Sequence, residues 1–385
     1  MRRAEDASAR LLLDSRHGTF WLRTSTDESG MSKRSTALLK TALAAVHYTG
    51  AGNLLAPYTR GAGVIFMLHH VDPAPPQPFE PNRILKVTPE FLEAVVREVI
   101  DAGFDIIPLD QIRQRLENAD RERPFACFTL DDGYRDNRDH AYPIFRRYGA
   151  PFAIYVPTDF ADGRGDFWWL TFEKVLRAAP QITLCMYGET RHFRLSTPAE
   201  KDAAYHEIYW WLRELPEAQA RAVVAELAAA YNIDPAGAHS GLVMSWDELR
   251  QLAEDPLVTI GAHTRGHYAL AKLGARHARA EMAESIARVE KELGRPCRHF
   301  SYPYGCEKSA GEREFRIAAE LGIETAVTTQ KGLLYPEHAH EMTALPRLSL
   351  NGDFQDLRYV KALLSGVPFA LMNTFKRYTG ARPAL

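Results

Sequence analysis

Six short apolar runs constrain the fold most. They are Val64–Leu68, Phe125–Leu130, Phe152–Val156, Leu257–Ile260, His299–Tyr302 and Glu324–Thr328. Runs of this length, rich in β-branched and aromatic residues and ending in turn or polar residues, read as strands buried on both faces. Helical patterns with clear starts lie between them. Thr88-Pro89-Glu90 offers a capping hydroxyl and a proline at the first helical position, followed by the periodic Phe91, Val95, Val96, Val99 and Ile100. Ser245-Trp246-Asp247-Glu248 has capping-box spacing. Ala278 to Leu293 is amphipathic and ends at Gly294 and Pro296. Strands alternating with helices predict an α/β fold with a parallel sheet, open or closed into a barrel.

The alternation breaks between about residues 168 and 243, where the pattern is mostly helical and Thr197-Pro198-Ala199-Glu200 forms another capping box. This segment reads as an insertion into a main domain spanning 63–350. Residues 1–62 read as an N-terminal extension with a peripheral helix, and 351–385 as a C-terminal tail. The 385 residues carry 47 Lys+Arg against 49 Asp+Glu, which argues against a dedicated nucleic-acid binder. None of the four cysteines forms a CxxC pair, so a cysteine-rich zinc module is not expected. No apolar run approaches the ~20 residues that span a bilayer. Met31-Ser-Lys-Arg followed by Ala37 to Val46 has a basic start and an apolar stretch, but Lys40 interrupts it and no clean small-residue cleavage site follows. The expected location is cytoplasmic.

Function is suggested by what stands at the strand ends. Phe125–Leu130 ends in Asp131-Asp132-Gly133, Leu257–Ile260 leads into His263-Thr264-Arg265-Gly266-His267, His299–Tyr302 into Pro303-Tyr304-Gly305, and Val64–Leu68 into His69-His70. Ligands of parallel α/β structures gather at the carboxyl ends of strands. His263 and His267 are four apart, so both rings can reach one ion. Their spacing is that of the HExxH helix, but Thr264 stands where that motif has its glutamate. Two adjacent carboxylates are costly if buried unpaired, and a cation relieves that cost. Asp132 with His263 and His267 makes a three-ligand set with open positions, as a catalytic metal requires. Asp131 is then free to act as a base.

Thr129-Leu130-Asp131-Asp132-Gly133, His263-Thr264-Arg265-Gly266-His267 and Arg298-His299-Phe300-Ser301-Tyr302-Pro303-Tyr304-Gly305 resemble, in order, the first three motifs of the polysaccharide deacetylases of the chitooligosaccharide deacetylase (nodulation protein B) type. Phe66-Met67-Leu68-His69-His70-Val71 is similar to the strand that opens many members. The resemblance implies a distorted, incompletely closed barrel of about seven parallel strands, here with the helical insertion. It implies hydrolysis of N-acetyl groups on an N-acetylated glycan, with Asp131 as general base and a divalent metal, most often zinc, on Asp132, His263 and His267. It also implies that Thr264 steadies the metal loop, that the Tyr304 N–H donates to the oxyanion, and that Pro303 and Tyr304 wall the groove.

Two parts of the family pattern are missing. No Leu-x-His with an orienting Asp-Trp motif follows. Ala326 to Gly332 stands in that place without Asp or Trp, so His338 is the first candidate for the general acid and His69 the second. Ser301 stands where several members carry an arginine that tunes the base, and Arg347 is the candidate to supply that charge. His69, Trp168 and Arg347 join Pro303 and Tyr304 as candidate groove residues, although residues like Trp168 more often anchor an inserted helix to a core. Cys127 reads as a small core residue. Two other classes compete. A non-catalytic saccharide-binding homologue should lack Asp131 or a ligand. A two-His-one-carboxylate iron oxygenase needs no adjacent base and usually sits on an antiparallel barrel.

Overall fold

The computed structural model describes residues 33–118, 123–235 and 241–379. The start at Met31 weighed above lies outside them. Seven parallel strands form a ring: β1 (Gly63–Leu68), β2 (Phe125–Leu130), β3 (Phe152–Val156), β4 (Val258–Ala262), β5 (His299–Ser301), β6 (Thr325–Lys331) and β7 (Leu345–Ser349). Their order around the ring is β1-β7-β6-β5-β4-β3-β2, and β2 pairs back onto β1 over six residues, Gly63↔Phe125 to Leu68↔Leu130. The expected seven-stranded barrel is therefore present. Its ring closes by strand pairing, but thinly at β4/β5, where Phe300↔Ala262 is the registered pair. A short extra strand, Asp105–Ile106, takes the lower edge of β2, on the side where β3 pairs higher up. β7 was not among the apolar runs because Pro346 and Arg347 interrupt it. It tolerates them near the ring's seam, where it pairs β1 through two residues.

Every position of β1, β2 and β3 is buried. One face of each strand looks outward to the helices, among them α1 (Pro89–Asp101), whose N-cap Thr88 accepts from the Phe91 N–H and whose Val95, Val96 and Val99 are buried. The other face fills the barrel with Ile65, Cys127, Ala153, Tyr155, Val327 and Leu345. This interior is continuous with a floor at the amino ends of the strands, made by Ile107, Leu109, and Ile112 and Leu116 of α2 (Ile112–Glu117), with Leu334, Ala339 and Met342.

The insertion has its own apolar cluster. It comprises α3 (Trp168–Ala178), α4 (Pro198–Glu214) and α5 (Glu217–Ala230). Within this mostly helical segment the expectation missed an antiparallel hairpin, Gln181–Met186 with Glu189–Arg194. The hairpin turns at Tyr187-Gly188, both at positive φ (53° and 84°), which is a two-residue primed turn. Ile182, Met186 and Phe193 supply its buried face. α6 (Ala275–Leu293) returns to the barrel and ends at Gly294 in the left-handed conformation. Four-residue-spaced apolar positions place its core-facing stripe, and Glu281 lies on that stripe.

Candidate metal centre and its surroundings

β2 delivers Asp131 and Asp132 to the barrel mouth, and the loop after β4 delivers His263 and His267. All four are buried. Asp132 Oδ1 lies 3.6 Å from His263 Nε2 and 3.3 Å from His267 Nε2. One ligand atom from each residue falls within 4.8 Å of the others, the span of three ligands around one ion. Two observations argue that the set fits a cation. Asp132 Oδ1 is buried and has no hydrogen-bond partner among the described residues, a costly state for a carboxylate without a positive centre beside it. His263 Nδ1 sits 2.6 Å from the Ser301 carbonyl, which makes Nδ1 the donor and leaves Nε2 as a bare lone pair facing Asp132. Burial pushes the His263 ring down to about 4, so it is neutral, as a ligand must be. Asp132 is held below the usual carboxylate range because the nearby imidazoles outweigh its burial.

The local backbone is bent to achieve this. Asp132, Thr264, His267 and Tyr304 all have φ between 56° and 74°. L-residues avoid this region, and each instance costs on the order of 1–3 kcal/mol. Thr264 Oγ1 accepts from the His267 N–H at 3.0 Å and locks the turn between the two histidines. Two side chains that the sequence did not flag hold the same loop. Glu281 of α6 accepts from the N–H groups of Arg265 (3.1 Å) and Gly266 (2.8 Å). Arg221 of α5 donates to the carbonyls of Gly266 (2.9 Å) and His267 (3.2 Å). The signal was available, because each is a charged residue on a helix face that otherwise carries mainly buried apolar residues.

Asp131 is gripped by Arg347, with Nη1 to Oδ1 at 2.9 Å and Nη2 to Oδ2 at 2.7 Å. Arg347 is fully buried and also donates to the Thr328 carbonyl, Thr129 Oγ1 and Ser301 Oγ. The small Ser301 side chain leaves room for a guanidinium entering from β7. Burial would raise the Asp131 pKa, but the Arg347 charge and the neighbouring imidazoles lower it, so the carboxylate stays ionised. Arg347 is thus placed on Asp131, where it supplies the charge expected of it, and is buried rather than open to the groove, a correction to its expected place among the groove residues.

His69, at the end of β1, is partly exposed, with Nε2 3.9 Å from Asp131 Oδ2. His70 turns the other way, stacks on Tyr134 at 3.6 Å and bonds Asp136 Oδ2 at 2.6 Å. His338 is not brought to this group. It lies in the turn Pro336–His340 against α2, at the amino ends of the strands, with Nδ1 engaged by Tyr335. The chain after β6 drops straight back to the floor, where the Ala62 N–H bonds the Leu334 carbonyl. Pro303 is buried beside Tyr304, whose ring meets the His267 ring at 4.9 Å and carries the Arg213 guanidinium 3.5 Å from its centre. Among the described residues no acceptor takes the Tyr304 N–H. Trp168 donates from Nε1 to the Tyr304 hydroxyl at 3.0 Å. Its indole is buried under Tyr209 and Trp169, so it anchors α3 and offers no open face to a sugar.

A closed parallel β/α barrel thus carries at its mouth a buried Asp-His-His cluster that could hold a metal ion. Residues 201–326 match the model of the polysaccharide deacetylase family. That match takes in His263, His267 and Tyr304 and begins after Asp131-Asp132. Among solved structures, the Streptococcus pyogenes deacetylase PplD in complex with acetate is 16% identical, with 78% of this chain and 96% of that one covered and a TM-score of 0.52. IcaB from Ammonifex degensii is 15% identical, with 78% and 97% covered and a TM-score of 0.49. A polysaccharide deacetylase from Bacillus cereus is 13% identical, with 78% and 68% covered and a TM-score of 0.49. No curated protein sequence matches. Over residues 201–326 the chain is therefore similar to the polysaccharide deacetylase family, and with the solved deacetylase PplD it shares the barrel fold.

Proposed function

We propose that the chain removes N-acetyl groups from amino-sugar residues of a poly- or oligosaccharide, with a divalent cation, most suitably zinc, on Asp132, His263 and His267. One observation carries this reading. A buried carboxylate–imidazole–imidazole set stands beside a second carboxylate that Arg347 keeps ionised. The cation supplies Lewis acidity, which lowers the pKa of a water and polarises the amide carbonyl.

The chain's own residues do the rest. Asp131 accepts the proton of the attacking water, since its pairing with Arg347 keeps it charged and fixes its orientation. The Tyr304 N–H, which no acceptor takes among the described residues, donates to the oxygen on which negative charge develops. His69 replaces His338 as proton donor to the departing amine, because it faces Asp131 across the mouth. Trp169, Phe160 and Tyr304 pack around the His267 ring and exclude water from its far side.

The test is acetate release from a panel of N-acetylated glycans, with and without a chelator. Release that stops on chelation and returns with zinc supports the reading. Release indifferent to chelation, or no release from any N-acetylated glycan by metal-loaded protein, sinks it.

A further inference from the structure

Away from the mouth, exposed apolar side chains concentrate on the terminal helices Lys33–Tyr48, Ala51–Thr59 and Val367–Thr379. Leu38, Leu54, Tyr58 and Leu371 are exposed by 72%, 75%, 87% and 63%, whereas no described leucine outside these helices is exposed. The three helices touch one another. They approach closely at Gly52, where a Cβ would meet Ser365, and at Gly366 (φ 75°), where a Cβ would strike the Thr59 carbonyl. Leu54 and Tyr58 are one turn apart and share a face. A concentration of apolar side chains of this kind marks an interaction surface.

The charge of the same segments is one-sided. No Asp or Glu occurs between Met31 and Val71, or after Asp356. Those stretches contain Lys33, Arg34, Lys40, Arg60, Arg358, Lys361, Lys376, Arg377 and Arg382, in a chain whose net charge is -2. Lys40 lies over the Phe354 ring, Arg60 also has a partner, and Arg358 and Lys361 are answered by Asp356 and Glu98, so the excess is one of net charge over the segments. Leucine and tyrosine on helices with only basic charge are the composition of interfacial membrane helices. A symmetric pair of copies meeting on this face would set like charge against like charge. Among the described residues no helix is long and apolar enough to cross a membrane. We propose that these three helices form a docking face for an anionic lipid bilayer. The Ala51–Thr59 helix feeds the amino end of β1, whereas the candidate ligands project from the carboxyl ends, so docking leaves the mouth open.

The experiment is co-sedimentation of the full chain with vesicles of phosphatidylcholine alone and with about one third phosphatidylglycerol. Binding should favour the anionic vesicles by at least about tenfold and fall with salt, since each surface-near Lys or Arg contributes about fivefold. The variant Leu54→Gln/Tyr58→Gln/Leu371→Gln should lose about tenfold or more, and Lys376→Gln/Arg377→Gln should lose a comparable amount, both with unchanged circular dichroism and metal content. Tyr58→Gln alone serves if the triple variant does not fold. Three results overturn the proposal: no preference for anionic vesicles, anionic binding untouched by both sets of changes, or a dimer in lipid-free solution that the apolar changes dissolve while vesicle binding is absent.

Discussion

At the amino ends of the strands, Ile107, Leu109, Ile112, Leu116, Leu334 and Met342 close the barrel with aliphatic side chains. The polar His299 there is answered twice, by Asp110 and Thr325, each at 2.8 Å. At the carboxyl ends, four non-glycine residues adopt left-handed angles and Asp132 Oδ1 is left without a partner. Elsewhere among the described residues only Tyr187 and Asn232 share that backbone state, both in turns. The same seven strands therefore carry a satisfied end and an unsatisfied one. Stability is concentrated at the floor, and strain with unmet polar capacity at the mouth, where a ligand can relieve it.

This contrast can be broken by substitutions that should act on one end alone. The largest effect is expected from Asp131→Asn, which keeps shape and removes the proposed base. Deacetylation should fall about 10²–10⁴-fold, while metal content by atomic absorption stays at wild-type stoichiometry. A variant that keeps most of its activity removes Asp131 from the base role. At the floor, Leu116→Ala should cost about 2–5 kcal/mol of stability in urea unfolding, with kcat and metal affinity unchanged. A loss of turnover at intact fold would show that the two ends are coupled. The smallest effect sharpens the picture at the loop. Arg221→Met keeps the stem but frees two carbonyls, and should weaken zinc binding about 10–100-fold in a competition titration. Zinc affinity equal to wild type would reduce Arg221 to a tether for the insertion.

Much of the mouth was legible because its residues follow directly from strand ends. Asp132, His263 and His267 each stand within a few residues of a run that could be recognised by composition, and parallel strands bring such ends together. Other parts depended on three-dimensional paths that no local pattern encodes. His338 lies near the fourth-motif position in sequence, yet the chain reverses after β6 and leaves it at the floor. The insertion's hairpin was hidden because Gln181 to Arg194 alternates only weakly and falls inside a stretch whose pattern is mostly helical. Glu281 and Arg221 were not singled out, although an acid or base on a core-facing helix stripe is the type of residue that long-range polar contacts explain. Arg347 was noticed, but its two-pronged grip on Asp131 depends on the space left by Ser301, a third strand away.

The guanidinium that steadies Asp131 comes from the last strand of the ring, 216 residues later in the chain. Until that strand is laid against β1 and β6, the carboxylate has no cation to balance it. A growing polypeptide thus holds Asp132, His263 and His267 well before Asp131 gains its partner, and the proposed proton acceptor is set in place only when the ring is shut.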